Sequence, residues 1–298
     1  MYKQLFLITI ILLNSYCVFG QVCGTPHPAT PTIYSGSASG RTLGNSEYCI
    51  DVFFHIVRNT SGTNAFTPPN TDAIVKELNK FYSSHNIVIN NAGSGFVNDD
   101  ELVNINFSEH NREIENRNSN QTFTNKYGKD NVINYFIVKS IGGILYAGFA
   151  VHIPSNSLFI RSDRVLTPIS AHELGHCLDL YHTFRGTAAN TDGCAEAING
   201  SNCNTCGDLV CDTPADRNQQ NPDQTPDLTQ GFNPDPTNIM SYYRPRDHFT
   251  KGQGKRMRMA LDNAPVLSDI TSNRCVRMSA LSQLVHPNIE TVRLSNLP

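Results

Sequence analysis

Between residues 170 and 182 the chain reads Ser170-Ala171-His172-Glu173-Leu174-Gly175-His176-Cys177-Leu178-Asp179-Leu180-Tyr181-His182, with three imidazoles and a carboxylate close together. On a helix, positions i and i+4 lie one above the other on the same face, so His172 and His176 can offer two nitrogens to one ion. Glu173 is turned about 100° away around the helix. A carboxylate there can reach a metal-bound water without being a ligand. Catalytic zinc sites use three protein ligands and keep an open position for water. The third candidate is His182, six residues after His176. A continuous helix would carry it roughly 9 Å further along the axis. The helix must therefore stop, and the chain must bend back near Asp179. Zinc in such a set lowers the pKa of its water towards about 7 and polarises a scissile carbonyl. Glu173 then takes the water's proton and hands it to the leaving amine. A His-x-x-x-His face is by itself more often a surface or a satisfied core. The intervening Glu173 and the later His182 weigh against that reading.

A rival third ligand is Glu196, twenty residues after His176. Another class of zinc peptidase takes a glutamate at that offset, from a second helix. Residues 186–200 hold Gly186, Gly193 and Gly200 and little helical periodicity, so that helix is not expected. His182 is the expected ligand.

The stretch resembles the metzincin signature, HExxHxxGxxH followed by a methionine turn. His182-Thr183-Phe184, the run from Gly207 through Asp208, Val210, Asp212 and Thr213 to Pro214, and Asn238-Ile239-Met240-Ser241-Tyr242 are similar to the pappalysin family in particular. So is Phe249-Thr250-Lys251-Gly252-Gln253 with Arg256-Met257. The resemblance covers roughly residues 48 to 262. It implies a secreted zinc endopeptidase with an α/β, metzincin-like fold. That fold is a twisted, mostly parallel sheet with an active-site helix, plus an irregular, disulfide-held lower subdomain. It places Met240 in a tight turn as a floor under the metal, and Tyr242 as a donor to the oxyanion. It also points to calcium near the loops after the active helix. One residue departs from the pattern, since the family's glycine is Asp179 here. Glycine serves there because the turn favours a left-handed residue. Aspartate visits that region at a cost on the order of 1 kcal/mol, so the bend is expected to survive.

The elements that must carry these residues follow from the rest of the chain. The 298 residues carry a formal charge of −3, which argues for neither nucleic acid nor a membrane surface as partner. Lys3 and the apolar run Leu5–Leu13 lead to small or polar residues ending at Gly20, the form of a signal peptide over residues 1–20. Residues 21–47 are rich in Pro, Thr, Ser and Gly and read as a pro-segment or flexible arm. The catalytic domain is expected over 48–275, its upper part to about 182, with a tail at 276–298.

Residues 50–57 form a β-branched, aromatic run that reads as a buried strand, with His55 packed in it. Asn70-Thr71 opens a helix with Thr71 as cap and Ile74, Leu78 and Phe81 at helical spacing. Further strands are expected at 87–89, 102–107, 132–138 and 157–161. Gly142–Ala150 matches the family's upper rim, and an edge strand beside the cleft would let a peptide substrate add itself as a strand. Thr167-Pro168 caps the active helix, and Thr250-x-x-Gln253 reads as a capping box.

Nine cysteines less Cys17 of the leader leave eight, which suggests disulfides in an oxidising compartment with 105 possible connectivities. Cys203-x-x-Cys206 with Cys211 also offers a structural zinc knuckle, though secretion favours bridges. Asp192, Asp208 and Asp212 suit calcium or are solvated turns. Cys23-Gly24-Thr25 resembles the cysteine motif of pappalysin pro-segments, which implies a thiolate in the open zinc position and a latent enzyme. The competing reading, favoured by the even count, is a disulfide, most simply to Cys49. Cys177 reads as a buried free thiol. A second function is a zinc-binding recognition module that has lost turnover, for which Asp179 is the one sign.

Overall fold

The computed structural model describes residues 22–28, 30–33, 46–106, 123–187, 193–217, 226, 228–272 and 275. The expected signal peptide, the tail and Asp192 lie outside these residues.

Along the chain the strands are β1 (Val22–Cys23), β2 (Tyr48–Arg58), β3 (Ile87–Asn98), β4 (Asn104–Ile105), β5 (Ile133–Val138), β6 (Ser140–Ile141), β7 (Tyr146–Ala150), β8 (Ser157–Arg161) and β9 (Thr271–Ser272). The helices are α1 (Thr71–Tyr82), α2 (Asp100–Val103), α3 (Pro168–Cys177) and α4 (Lys251–Asn263). The main sheet runs β1-β7-β8-β5-β2-β3, with β9 also on β2. It is mostly parallel, as expected. Only the β7–β8 and β2–β9 pairs are antiparallel.

Parallel strands covered on both faces need apolar side chains in every direction. Accordingly every residue of β5 and β8 is buried. One face carries α1, α3 and α4 on a core that includes Ile50, Val52, Phe54, Leu78, Leu174 and Met257. The other face holds a smaller cluster built on Phe136, Phe149 and Phe159, with ring centroids 4.6–4.8 Å apart. His55 stacks on Phe136 at 4.3 Å and bonds Asn134 at 2.8 Å. It is the packed strand histidine that its surroundings suggested.

Several local expectations shift. Asn70, not Thr71, caps α1, because its amide oxygen reaches the N–H groups of Asp72 and Ala73 at 2.9 and 3.2 Å. The 102–107 strand shrinks to β4, since Asp99 caps the one-turn helix α2 just before it. Thr167 starts α3 without a side-chain cap, its hydroxyl donating back to the Arg164 carbonyl at 2.8 Å. The capping box of α4 is present. The Thr250 hydroxyl accepts from Gln253 N at 3.1 Å and the Gln253 amide oxygen accepts from Thr250 N at 2.9 Å.

The cysteine pairing corrects one expectation. Cys49 bonds Cys275, not Cys23, and so joins the start of β2 to a point 226 residues on. Cys194–Cys206 and Cys203–Cys211 cross-link the loops that follow the active helix, so the Cys203-x-x-Cys206 pair is spent on two different bridges. Cys23 and Cys177 are the free thiols among the described residues. No helix among the described residues is long and apolar enough to cross a membrane.

Candidate active site

Helix α3 is pinned from both sides before it presents any chemistry. Tyr82 of α1 donates to the Ala171 carbonyl at 2.7 Å, and Tyr135 of β5 shares a 2.7 Å hydrogen bond with Ser170. The helix ends in a Schellman motif. Leu180 N donates to Gly175 O at 2.9 Å and Asp179 N to His176 O at 3.1 Å. Asp179 holds the left-handed position of that motif, at φ 71°. The bend required by the spacing is therefore made by the residue that replaces glycine.

That turn brings three rings together. The Nε2 atoms of His172, His176 and His182 lie 3.1–3.2 Å from one another, close to the roughly 3.3 Å between tetrahedral ligands 2.0–2.1 Å from one ion. His172 Nδ1 lies 2.7 Å from the Ile239 carbonyl, and His176 Nδ1 lies 2.7 Å from the Leu180 carbonyl. A carbonyl only accepts, so in these two rings Nδ1 carries the proton and Nε2 presents a bare lone pair. Burial lowers the pKa of all three, that of His172 to about 3, so none is an imidazolium. Three converging imidazole nitrogens with no imidazolium among them fit a cation. Histidine nitrogens in a buried group of this kind suit zinc.

Glu173 is fully buried beside them. Burial raises its carboxyl to about 7, against hydrogen bonds from Thr25 and Cys23 that lower it. Two glycines make room for this arrangement. A Cβ on Gly148 of β7 would lie 2.9 Å from Glu173 Cγ and 2.6 Å from Ile160 Cδ1. A Cβ on Gly175 would lie 2.8 Å from Met240 Sδ. Met240 is thus buried directly against α3. Its turn also feeds the site, since Ile239 O accepts from His172 and Met240 O accepts from Thr183 N at 3.3 Å. Tyr242 packs edge-on to His182, with centroids 4.8 Å apart, and its hydroxyl donates to Cys23 O at 3.4 Å.

The N-terminal arm fills the cleft. β1 lies parallel on the β7 edge, and Gly24 N donates to Gly148 O at 3.0 Å. Cys23 Sγ lies 3.5 Å from His176 Nε2 and 3.3 Å from Glu173 Oε2, and it completes a four-residue group with the three histidines. Thr25 Oγ1 donates to Glu173 Oε2 at 2.8 Å and accepts from Ala150 N at 2.9 Å. His27 Nε2 is 2.7 Å from His182 Nδ1. Thr25 and Gly148 were quoted only within the cysteine motif and the rim segment, and His27 was not singled out from the sequence. Their roles depend on which strand the arm joins, and no spacing rule carries that.

Residues 146–262 match the peptidase family described as pregnancy-associated plasma protein-A, the pappalysins. Over that stretch the chain is similar to the pappalysins, and it is a metalloprotease. An extracellular metalloprotease of Colletotrichum graminicola is 24% identical over 286 residues, spanning 84% of this chain and 94% of its own. One of Neurospora crassa is 26% identical over 222 residues, 65% of this chain and 69% of its own. Among solved structures, metalloproteinase-II from Bacteroides fragilis superposes with a TM-score of 0.29 at 13% identity, over 46% of this chain and 44% of that one. A likeness that low carries no argument here.

Glu196 stands apart from the histidine group. Its Oε2 is buried with no hydrogen-bond partner and would lie 2.6 Å from a Cβ on Gly207. Burial raises its carboxyl to about 7. The neighbouring Asp208 is also raised by burial and by Glu196, while Thr213 donates to it at 2.8–2.9 Å. Asp212 serves the start of α4 instead, accepting from the Thr250 hydroxyl at 2.7 Å and Gly252 N at 2.8 Å.

Gly148→Ala is expected to displace Glu173 or part the β7–β8 pair while sparing the histidines. Zinc content should stay near one equivalent and peptidase turnover should fall by about tenfold or more, as for small misplacements near the chemistry. An alanine variant with full turnover would show that the space is not needed.

Proposed function

We propose that the protein is a secreted, metzincin-like zinc endopeptidase that hydrolyses peptide bonds of protein or peptide substrates. The observation that carries this reading is the convergence of three buried Nε2 atoms beside one buried carboxylate. His172, His176 and His182 would hold the zinc. When bound, zinc acidifies its water to a pKa of about 7 and polarises the scissile carbonyl. Glu173 Oε2 is the proton carrier, taking a proton from water and giving it to the departing amine. The Tyr242 hydroxyl, which donates to a main-chain carbonyl of the arm, would donate to the scissile carbonyl oxygen once the arm is gone. The β7 edge, taken by β1 here, would receive substrate main chain. The catalytic unit is read as 48–275, its ends clamped by Cys49–Cys275. Three disulfides and the apolar leader support secretion.

The arm makes this chain a latent form. Cys23 would occupy the fourth position on zinc, Thr25 holds the oxygen of Glu173 that must receive a proton, and β1 blocks the edge. Calcium is the second cation of the reading. Asp208 and Glu196 would hold it, since an orphaned buried carboxylate oxygen fits a hard cation.

Three measurements test the proposal. In a chain trimmed to Ser46, Glu173→Gln should retain zinc and lose casein hydrolysis by several orders of magnitude, while His182→Ala should lose zinc on dialysis and Glu196→Ala should not. Zinc loss from the glutamine variant, or from Glu196→Ala instead of His182→Ala, would refute the assignments. A module without turnover would show zinc-dependent hydrolysis in neither wild type nor a chain trimmed to Ser46.

Cys23→Ala should raise the activity of the untrimmed chain to a large fraction of that of the trimmed one. Unchanged latency would place the block in Thr25 and the strand pairing.

The folded-state pKa of Glu196 lies above its unfolded value of 4.5, at about 7. At this group the folded chain therefore binds more protons than the unfolded chain in that window, so in the calcium-free protein its contribution to stability is lost as pH rises from about 4.5 through 7. Calcium at pH 7.5 should restore the melting temperature, as any ligand selective for the folded state does. Glu196→Gln should make the slope shallower, leaving the share of Glu173 and Asp208, and should abolish the recovery.

A further inference from the structure

We infer that Arg256 is a positioning residue of the zinc site, acting through Asp179 to hold the turn that aims His176 and His182. The inference rests on the zinc reading above.

The turn after α3 asks for a left-handed residue, which glycine provides without strain. Asp179 provides it with a side chain that is fully buried, and a buried carboxylate needs a charged, hydrogen-bonded partner. Arg256 of α4 is that partner. Its Nη2 donates to Asp179 Oδ2 at 2.6 Å and its Nε to Asp179 O at 2.8 Å. One planar guanidinium thus grips the side chain and the main-chain carbonyl of the same residue. That fork fixes the peptide plane as well as the carboxylate, which a lysine ammonium would not do. The guanidinium also lies over the Tyr181 ring, 5.1 Å from its centroid.

The consequence reaches two ligands. Leu180, directly after Asp179, supplies the carbonyl that accepts from His176 Nδ1 at 2.7 Å. His182 follows two residues later. A turn released from Arg256 would loosen the orientation of His176 and the position of His182 together. The opposite anchor is equally built. Arg256 is buried on α4, whose start is fixed by its capping box. Gln253, one turn earlier, exchanges two 3.0 Å hydrogen bonds with Asn238 at the head of the Met240 turn. The same helix therefore sets the turn beneath His172 and the turn before His182.

Arg256 Nη2 also donates to Thr32 O in the arm, at 3.1 Å. The test must separate that contact from the Asp179 grip, and a second substitution does so. In the full chain, zinc affinity is measured by competition with a chromogenic chelator, and ligand geometry by the visible spectrum of the cobalt-loaded protein. Arg256→Ala should weaken zinc by about tenfold or more, the scale of a lost outer partner of a metal ligand, and should alter the cobalt bands. Asp179→Gly alone should bind zinc as the wild type does. Asp179→Gly with Arg256→Ala should return affinity and spectrum to near wild type, although the Thr32 contact is missing from it too. If Arg256→Ala does not fold, Arg256→Lys replaces it, with a smaller deficit and the same rescue. Wild-type affinity and spectrum in the single Arg256 variant would overturn the inference, as would a deficit that Asp179→Gly leaves in place. A wild-type chain that binds neither zinc nor cobalt would overturn the zinc reading itself, a result these variants cannot mimic.

Discussion

Everything at the active site depends on where α3 stops. His172 and His176 share a face for as long as the helix lasts. His182 joins them only because the chain turns left-handed at Asp179 immediately after the helix. The Schellman bonds make that turn, and they also satisfy the helix's last carbonyls, which a buried helix end must do. The Leu180 carbonyl, placed by the turn, then sets the tautomer of His176. One local backbone choice thus ends a helix, delivers a third ring and decides which nitrogen of another ring is bare.

The sheet is arranged around the same point. β7 turns back antiparallel on β8 and leaves its outer edge open beside α3. An open edge attracts a strand, and here the chain's own arm supplies it. The arm's side chains meet the site in order, with Cys23 at the histidines, Thr25 at Glu173 and His27 at His182. Gly148 on the edge strand leaves the space that Glu173 fills, so edge and carboxylate are fitted to each other. The crowding also explains the raised Glu173 carboxyl, since a cleft closed by the arm shuts out the water that would favour the charged form.

The loops after the helix have little regular structure and are held by covalent and polar links instead. Two short-range disulfides close them, and Asp208, Thr213 and Glu196 line a small acidic interior. The long-range Cys49–Cys275 bond joins the strand that starts the sheet to the end of the described chain. The loop it closes in the unfolded state is large, which is where a cross-link removes the most chain entropy in the loop-closure account.

Much of this was legible in the chain of residues. The helical spacing of His172 and His176, the need for a bend near Asp179, the capping box at Thr250 and the buried runs of β5 and β8 all follow from periodicity and local chemistry, which act over a few residues. The three-ring cluster follows from the same stretch once the bend is granted. What spacing could not carry was decided by contacts far apart in sequence. Thr71 lost its cap role to Asn70 because one residue's difference in reach is settled by the packed helix. Cys49 paired with Cys275 because β2 and β9 lie side by side, a neighbourhood that no cysteine count contains. Gly148 is needed only because Glu173 comes up against it, and Asp179 can replace glycine only because Arg256, 77 residues later, is brought to its carboxylate. Sequence fixes short-range geometry through the backbone; only the folded core decides which distant groups share one small, dry volume.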